Sequence, residues 1–419
     1  MIFFYKIFTN IFFPIFILVI FFRKFFNKEH KKRYKEKFVI SSQLGRFNLE
    51  NKKIIWIHTA SIGEMNSITP IVNKLTEGNK EIFILITSIT LSSSLIFEKN
   101  FRDNKNVYHH FLPLDVSFLI EKFLNYLKPE KVIFVDSEIW PNTLRIIKSK
   151  KIPLILLNAR ISNKTFKRWK IIGSFSKKIF SFFDLCLASS NESLENLKDL
   201  GSKNVKFFGN IKFCVNFDLP KNQKYPDILK NRKVWCAAST HPGEEIICIK
   251  THLELKKKYE LITIIIPRHI NRVQELFSLS KDHNLKVQLT NSFDKIKEIP
   301  DIIIINSFGD IAKYFYYCKS VFIGKSLPEK FSSVGGQNPI EPAKFGCKIY
   351  HGPHVSNFKE IYKYLESMNI AFEIKNEKDL IKNLDLDFSS EKKIEFGAKE
   401  LNEYGNKILD KTINEIQNF

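Results

Sequence analysis

The chain has 419 residues, of which 44% are hydrophobic, and its formal net charge is +22. This length and apolar content exclude a chain too short or too polar to bury a core, and they suit two folded domains. The positive charge suits a polyanion such as nucleic acid, an anionic membrane or a phosphorylated substrate. Because the charge is spread along the chain, a solvated lysine-rich surface is an equal alternative.

Residues 1–22 are the first element, an apolar segment whose single charge is Lys6. As one helix they would reach roughly 33 Å at about 1.5 Å per residue, enough to cross a hydrocarbon core. A cleaved signal peptide does not fit, because no small-residue cleavage site follows. A buried core helix would have to hide phenylalanine on all sides. We therefore predict a membrane anchor, with shallow insertion left open because Asn10 and Pro14 interrupt the segment.

Residues 23–50 follow as a basic segment that begins RKFFNKEHKKRYKEKF. Positive charge beside an apolar span indicates the cytoplasmic side of a membrane and attracts anionic lipid headgroups. We therefore predict that residues 23–50 lie at the membrane interface and that the rest of the protein is cytoplasmic.

From residue 51 onward, short apolar runs alternate with amphipathic, helix-like stretches. The first series lies in residues 51–215 and comprises KIIWIHT, EIFILIT, VYHHFLPLD, KVIFVDS, IPLILLNA, LCLASS and VKFFG. After a polar linker at 216–230, residues 231–419 contain KVWCAAS, ELITIIIP, LKVQLT, DIIIINS, SVFIGKS and KIYHG. Strands that alternate with helices predict parallel sheets. The sequence thus predicts two doubly wound α/β domains, with ligands beyond the carboxyl ends of the strands, in the cleft between the domains.

Three strand-to-helix turns of the first domain place polar groups at the mouth of its sheet, namely ASIGE, DSEIWPN and NARIS. Glu64, in the first turn, is suited to act as a general base toward a bound hydroxyl. A carboxylate at a helix start is equally expected as a helix stabiliser, and this position should keep it ionised. For Glu138 we favour an ion pair with Arg160 or Arg145 over direct chemistry.

Three turns of the second domain suit an anionic ligand. In STHPGEE, Ser239 and Thr240 offer hydroxyls and backbone N–H groups at a helix start, although an ordinary helix cap has the same sequence. In IIIPRH, Arg268 is either a phosphate or carboxylate ligand or a surface cation. In SSVGGQNPIEPAKFG, two glycines permit close backbone approach to a ligand, and Glu341 is placed to accept ribose hydroxyls.

Several familiar motifs are absent from the sequence. It has no zinc or EF-hand spacing, no Walker-type phosphate loop and no G-x-S-x-G turn, so nothing indicates a metal or a nucleophilic serine. The six cysteines form no C-x-x-C pair and mostly lie in apolar runs. This pattern indicates free buried thiols in a reducing compartment.

Seven motifs occur together and in one order: WIHTASIGE, DSEIWPN, LLNARIS, GNIKF, AASTHPGEE, PRH and GGQNPIEPAKFGCKIYHGPHVSNF. On these motifs, residues 33–366 resemble the 3-deoxy-D-manno-octulosonic acid (Kdo) transferases of lipopolysaccharide biosynthesis. The resemblance implies a GT-B glycosyltransferase fold, with an acceptor-binding first domain and a second domain that binds CMP-Kdo. It implies transfer of Kdo to lipid IVA, the lipid A precursor, at the cytoplasmic face of the cell inner membrane. It also implies that CMP-Kdo is a co-substrate, with no cofactor, no metal and no nucleic-acid partner.

The resemblance also implies roles for residues at matching positions. Glu64 matches the catalytic base of the family. The positions that match CMP contacts are Pro267, Arg268, Phe308, Gly309, Asp310, Asn338, Pro339, Ile340 and Glu341. Further candidate contacts to donor or acceptor are Ser61, Gly63, Glu138, Lys212, Ser239 and Thr240.

The chain departs from the family pattern at three places. Gln337 stands where the family usually has histidine, Asp136 stands where glutamate is common, and the loop at 325–337 is longer than usual. Two other hypotheses stay open. One is a membrane-associated GT-B enzyme with a different nucleotide-sugar donor. The other is a non-enzymatic basic protein that binds nucleic acid or lipid, which would not need a carboxylate at position 64.

Overall fold

We analysed a computed structural model that describes residues 1–39, 52–217, 225–296, 298–307, 311–390 and 395–419. The chain forms two compact units, one of Met1–Val215 with Tyr404–Phe419 and the other of Asn216–Glu403. The predicted linker at 216–230 overlaps residues 218–224, which lie outside the described residues.

The first unit is built on a seven-stranded sheet with the order β3-β2-β1-β4-β5-β6-β7. Each pair of neighbouring strands in this order is parallel. Its strands are β1 Lys53–His58, β2 Ile82–Ser88, β3 Val107–Phe111, β4 Lys131–Val135, β5 Leu154–Ala159, β6 Leu185–Ala188 and β7 Val205–Phe207. Its helices are α1 Ile2–Ile11, α2 Phe13–Phe25, α3 Ile62–Thr76, α4 Leu91–Phe101, α5 Ser117–Leu127, α6 Pro141–Ser149, α7 Asn163–Ile171, α8 Gly173–Phe180 and α9 Asn191–Asp199, with 3₁₀ turns at Arg33–Phe38 and Ile211–Cys214.

The second unit is built on another seven-stranded parallel sheet, with the order β10-β11-β9-β8-β12-β13-β14. Its strands are β8 Lys233–Thr240, β9 Leu261–Pro267, β10 Val287–Thr290, β11 Ile302–Ile305, β12 Ser320–Ile323, β13 Lys348–His351 and β14 Ala371–Glu373. Its helices are α10 Glu245–Lys256, α11 Val273–Asp282, α12 Ala312–Phe315, α13 Ile340–Lys344, α14 Lys359–Ser367 and α15 Glu377–Ser389, with 3₁₀ turns at Asp227–Leu229, Ile270–Arg272, Phe293–Lys295 and Glu329–Phe331. A last helix, α16, covers Glu395–Asn418.

The strands are apolar runs because helices cover both faces of each sheet. In β2 all seven residues are buried, which is why its sequence, IFILITS, lacks the alternation of a half-exposed strand. Trp56 of β1 is fully buried and its indole N–H donates to Thr87 Oγ1 (2.9 Å), so the one polar atom of the ring is satisfied. All six cysteines are free and buried, as predicted.

The two-domain α/β prediction is confirmed, and each of the thirteen predicted strands is present. β14 is the strand that the sequence did not predict. It has only three residues, AFE, too few to show a periodic pattern.

The predicted helix over residues 1–22 is instead two helices, α1 and α2. Pro14 lies in the first turn of α2, where its missing N–H is tolerated, and the chain ends one helix and starts another. In the described part of the chain, no single helix has the length and apolar character to cross a membrane. By length and composition α1 and α2 would suffice only as a pair, and they are bent by 59°.

The helix α1 packs on the first unit through buried polar contacts as well as apolar ones. The Tyr5 hydroxyl donates to Asp115 Oδ2 (3.0 Å), and Asn142 Nδ2 donates to Thr9 Oγ1 (2.9 Å). Residues 1–22 therefore belong to the first unit, whereas the sequence had set them apart as an anchor.

The last sixteen residues also belong to the first unit, although the sequence had placed them in the second domain. The Tyr404 and Phe213 rings lie 5.2 Å apart, and Lys131 Nζ donates to the Ile416 carbonyl (2.7 Å). These partners are about 190 to 285 positions apart in sequence, so no local pattern could have indicated the pairing.

Candidate active site

Each sheet reverses its winding beside its first strand, and the predicted site residues follow these strands. In the first sheet β1 lies between β2 and β4, and in the second β8 lies between β9 and β12. Ligands of doubly wound sheets bind at such switch points, beyond the carboxyl ends of the strands. Glu64 and Glu138 follow β1 and β4, while Ser239 and Lys325 lie at the ends of β8 and β12.

Glu64 lies in the first turn of α3 and is held by its own turn. Ser61 is the N-cap residue, and its Oγ accepts the Glu64 N–H (3.3 Å) and donates to Glu64 Oε1 (2.8 Å). The Ala60 N–H donates to Glu64 Oε2 (2.7 Å). The N-cap bond from Ser61 is present, and the Glu64 carboxylate accepts the N–H of the residue before the N-cap, so the helix-stabilising role expected of Glu64 is present. The same contacts hold the carboxylate at the mouth of the sheet.

The expectation that the helix start keeps Glu64 ionised is wrong. Only 9% of Glu64 is exposed, and this burial raises the pKa of its carboxyl to about 7. The Ala60 N–H and Ser61 oppose the rise, whereas the carboxylates of Asp136 and Glu138 add to it. A pKa near the working pH is what a general base requires, because it combines ionisation with basicity.

Glu138 is held by an imidazole and an indole, and the predicted ion pair with Arg145 or Arg160 is wrong. Trp140 Nε1 donates to Glu138 Oε2 (2.9 Å), and His58 Nε2 lies 3.4 Å from the same oxygen. Burial by itself would raise the pKa of Glu138, but His58 and Trp140 outweigh it and lower the pKa. Glu138 therefore stays ionised near Glu64.

Asp136 is a member of the site to which the sequence assigned no role. Its Oδ1 is buried with no hydrogen-bond partner among the described residues, and its backbone is left-handed (φ +63°). Burial raises the pKa of Asp136, and the cations of Lys212 and Arg160 oppose the rise. Strained backbone and an unsatisfied buried atom concentrate at functional sites. The sequence feature that could have indicated a role for Asp136 is its position directly after β4.

Lys212 and Gly63 are the remaining candidate contacts of the first unit. Lys212 lies in the 3₁₀ turn Ile211–Cys214, whose N-cap residue Asn210 accepts the Lys212 N–H at Oδ1 (3.1 Å), while Asn158 Oδ1 accepts the Ile211 N–H (3.1 Å). A Cβ at Gly63 would meet nothing nearer than Ser61 Oγ at 4.0 Å. Position 63 therefore does not require glycine for steric reasons.

The second sheet brings Ser239, Thr240, Pro267 and Arg268 together. A bulge in β8 lies between Ala238 and Thr240, where Ser239 is left-handed (φ +58°), and Thr240 pairs with Pro267. The Arg268 N–H donates to the Thr240 carbonyl (3.1 Å), and the Arg268 side chain is exposed. Thr240 Oγ1 is buried and has no partner in the described structure. This edge offers a cation and a hydroxyl to an anion.

The NP-x-E turn begins the short helix α13. Asn338 Oδ1 accepts the Ile340 N–H (3.1 Å), and Glu341 lies in the first turn. The preceding glycine has a packing role that the sequence did not predict. A Cβ on Gly335 would lie 2.1 Å from the His354 carbonyl oxygen, so only glycine fits there. The predicted contacts Phe308, Gly309 and Asp310 lie outside the described residues.

Within the described ranges, no cluster of three or more His, Cys, Asp or Glu side chains is arranged to hold a metal ion. The residues that sequence reasoning missed at the second edge are His241, Glu244 and Lys325. Glu244 is fully buried and accepts backbone N–H groups from two different turns. Its only signal was its place in STHPGEE, beside Glu245, whose carboxylate instead pairs with Arg272 (2.6 Å).

Comparisons with known proteins agree with this geometry. Residues 32–215 match the family model described as 3-deoxy-D-manno-octulosonic-acid transferase (kdotransferase). The 3-deoxy-D-manno-octulosonic acid transferase of Rickettsia felis is 33% identical over 378 residues, which cover 88% of this chain and 80% of that protein. The Haemophilus influenzae protein of the same name is 30% identical over 334 residues, or 78% of this chain and 77% of the relative.

The fold is similar to that of the UDP-GlcNAc 2-epimerase from Neisseria meningitidis, with a TM-score of 0.59 over 86% of this chain and 98% of that one. At 14% identity this likeness concerns the fold alone. The two transferases named above have a higher sequence identity to this chain, and each alignment covers more than three quarters of both proteins. The chain therefore belongs to the 3-deoxy-D-manno-octulosonic acid transferases, which are glycosyltransferases.

Proposed function

We propose that the protein transfers Kdo from CMP-Kdo to lipid IVA in lipopolysaccharide biosynthesis, with Glu64 as the general base. The observation that supports this proposal best is the Glu64 carboxylate, which is positioned by Ser61 and Ala60 and has a pKa of about 7. The acceptor is assigned to the first unit and the donor to the second. This division is the one expected of a GT-B glycosyltransferase.

In the proposed reaction, a hydroxyl oxygen of the acceptor sugar attacks the anomeric carbon of Kdo. The bond from that carbon to the CMP phosphate oxygen breaks, and CMP leaves with the bonding electrons. Glu64 takes the proton of the attacking hydroxyl. The proton is accepted more readily because Asp136 and Glu138 place negative charge nearby and raise the pKa of Glu64.

The second unit would stabilise the leaving CMP. Arg268 supplies a full positive charge at the end of β9, and Ser239 and Thr240 supply hydroxyls beside it. Asn338 precedes α13 and Glu341 lies in its first turn, where the family pattern places contacts to CMP. Phe308, Gly309 and Asp310 are assigned to CMP by resemblance alone.

We further propose that α1 and α2 attach the protein to the cytoplasmic face of the inner membrane. Large apolar side chains of both helices are exposed, including Phe4 (71%), Leu18 (68%) and Phe25 (81%). The basic stretch that follows suits anionic headgroups. Because α1 is hydrogen-bonded to Asp115 and Asn142, the contacts favour insertion of the bent pair at the interface over a straight span.

The transferase assay uses CMP-Kdo and lipid IVA, with product masses read by mass spectrometry. We expect Glu64→Ala to lower kcat by about 10²- to 10⁴-fold, the usual contribution of a general base. The matched control is Glu77→Gln, an exposed carboxylate at the other end of α3. Retention of near-wild-type kcat by Glu64→Ala would show that another group removes the proton. Competition with other nucleotide sugars tests the donor assignment.

A further inference from the structure

Glu244 joins the turn after β8 to the turn after β12. Its Oε2 accepts two backbone N–H groups, from His241 (3.0 Å) and Lys325 (2.7 Å). Its Oε1 accepts two more, from Ser326 (2.9 Å) and Leu327 (3.2 Å). Because one oxygen accepts both amide N–H groups, the backbones of His241 and Lys325 lie next to each other, although 84 positions separate them in sequence.

The backbone before Lys325 is packed too closely for any side chain. A Cβ on Gly324 would lie 2.6 Å from Thr240 Cα and 2.7 Å from the Ser239 carbonyl oxygen. Lys325 itself is left-handed (φ +61°), a conformation that non-glycine residues keep where the surroundings require it. The position of the Lys325 backbone beside Ser239 and Thr240 is therefore tightly determined.

Lys325 and Arg268 bring two cationic side chains to this edge. The side chains of Lys325 and Arg268 make no hydrogen bond or ion pair in the part of the chain that the structure describes. Burial and the charges of Lys325, His269 and Arg268 together lower the pKa of the His241 imidazole to about 4, against the opposing effect of the Ser239 carbonyl. Two carboxylates of the described turns beside this edge are already paired, since Glu244 binds amides and Glu329 lies 3.2 Å from His354 Nε2.

We propose that Lys325 binds the carboxylate of the donor's sugar acid, beside the phosphate position of Arg268. The inference rests on the proposed function, because it takes CMP-Kdo as the donor. A sugar acid of this kind has its carboxylate on the same anomeric carbon that bears the phosphate oxygen. Two anionic groups a few bonds apart require two adjacent cations. β8, β9 and β12 place Arg268 and Lys325 at one edge of the sheet, with the buried Thr240 hydroxyl between the turns.

This assignment gives Lys325 a role in specificity. A nucleotide with no sugar acid, such as CMP, uses Arg268 and leaves Lys325 unengaged. A neutral sugar in place of Kdo would leave the Lys325 ammonium without a partner at the switch point. Lys325 therefore discriminates between acidic and neutral donors by a charge-assisted hydrogen bond.

The test compares the affinities of CMP-Kdo and CMP for the full-length protein by calorimetry. We expect Lys325→Gln to weaken CMP-Kdo about 10- to 100-fold, the range for a lost hydrogen bond to a charged group, and to change CMP less than about threefold. Lys325→Arg should restore part of the CMP-Kdo affinity. The control is Lys330→Gln, which removes one charge from the same loop but whose Nζ binds the Pro242 carbonyl (2.7 Å).

The two proposals fail in different ways. If Lys325→Gln weakens CMP and CMP-Kdo equally, or weakens neither, the carboxylate assignment is overturned while the donor assignment stands. If the unmodified protein binds CMP but gains nothing from the Kdo group, the donor itself is wrong. Unchanged CMP affinity in the variant shows that the second unit is folded.

Discussion

The raised pKa of Glu64 makes the stability of the protein depend on pH in a way that one substitution should remove. The pKa of this carboxyl rises from 4.5 to about 7 on folding. Between these values the folded chain binds about one proton more than the unfolded chain, so the free energy of unfolding falls as the pH rises. A difference of about 2.5 pKa units corresponds to about 3 kcal/mol.

Glu64→Gln resembles the protonated acid and does not titrate. The stability of the variant relative to the unmodified protein should therefore increase by about 3 kcal/mol between pH 4.5 and pH 7.5. Urea unfolding at several pH values, followed by tryptophan fluorescence, measures this difference. Three of the four tryptophans, Trp56, Trp140 and Trp169, lie in the first unit and report on its unfolding.

Glu77→Gln is the matched control, because it removes an exposed carboxylate from the other end of α3 and leaves Glu64 in place, so the rise of about 3 kcal/mol should be missing. A pH-independent difference for Glu64→Gln as well would refute the reasoning. It would mean that water or the neighbouring N–H groups stabilise the Glu64 carboxylate as well in the folded chain as in the unfolded one.

Two further predictions concern the charge of Asp136 and the exposed apolar side chains of α2. Asp136→Asn removes a negative charge that raises the pKa of Glu64, so the acidic limb of the kcat/KM profile should move to lower pH; an unmoved limb would remove Asp136 from the electrostatics of the base. Leu18→Glu with Phe25→Glu should weaken binding to phosphatidylglycerol vesicles at least about tenfold, because each buried side chain contributes about 1.5–3 kcal/mol. Ile171→Glu, which changes an equally exposed side chain of α7, should bind as the unmodified protein does, and equal loss in both would contradict the assignment of the membrane surface.

Much of the fold was predictable because its signals are local. A fully buried parallel strand is an uninterrupted apolar run, and runs such as IFILITS and LITIIIP correctly predicted β2 and β9. The apolar run before ASIGE and the helix-like stretch after it correctly predicted that Glu64 lies in a strand-to-helix turn. Pro14 lies in the first turn of α2, but the sequence predicted one helix over residues 1–22 and used Pro14 only to leave shallow insertion open.

The properties of the site were not predictable, because they depend on residues from different turns. The protonation of Glu64 is decided by its burial and by Asp136 and Glu138, which follow another strand. A sequence cannot show how much water a folded carboxylate retains, so the local helix-start argument gave the wrong direction. The partner of Glu138 was wrong for the same reason, since His58 reaches it from β1.

The sequence by itself determined the family, the two α/β domains and the turn in which Glu64 lies, since these depend on short local patterns and on their order along the chain. Only the tertiary structure decided that the residues after Tyr404 return to the first unit and that Lys325 lies beside His241. Both outcomes depend on contacts between distant segments. Their free energies come from burial and from hydrogen bonds to shared groups such as Glu244, which exist only after the chain has folded.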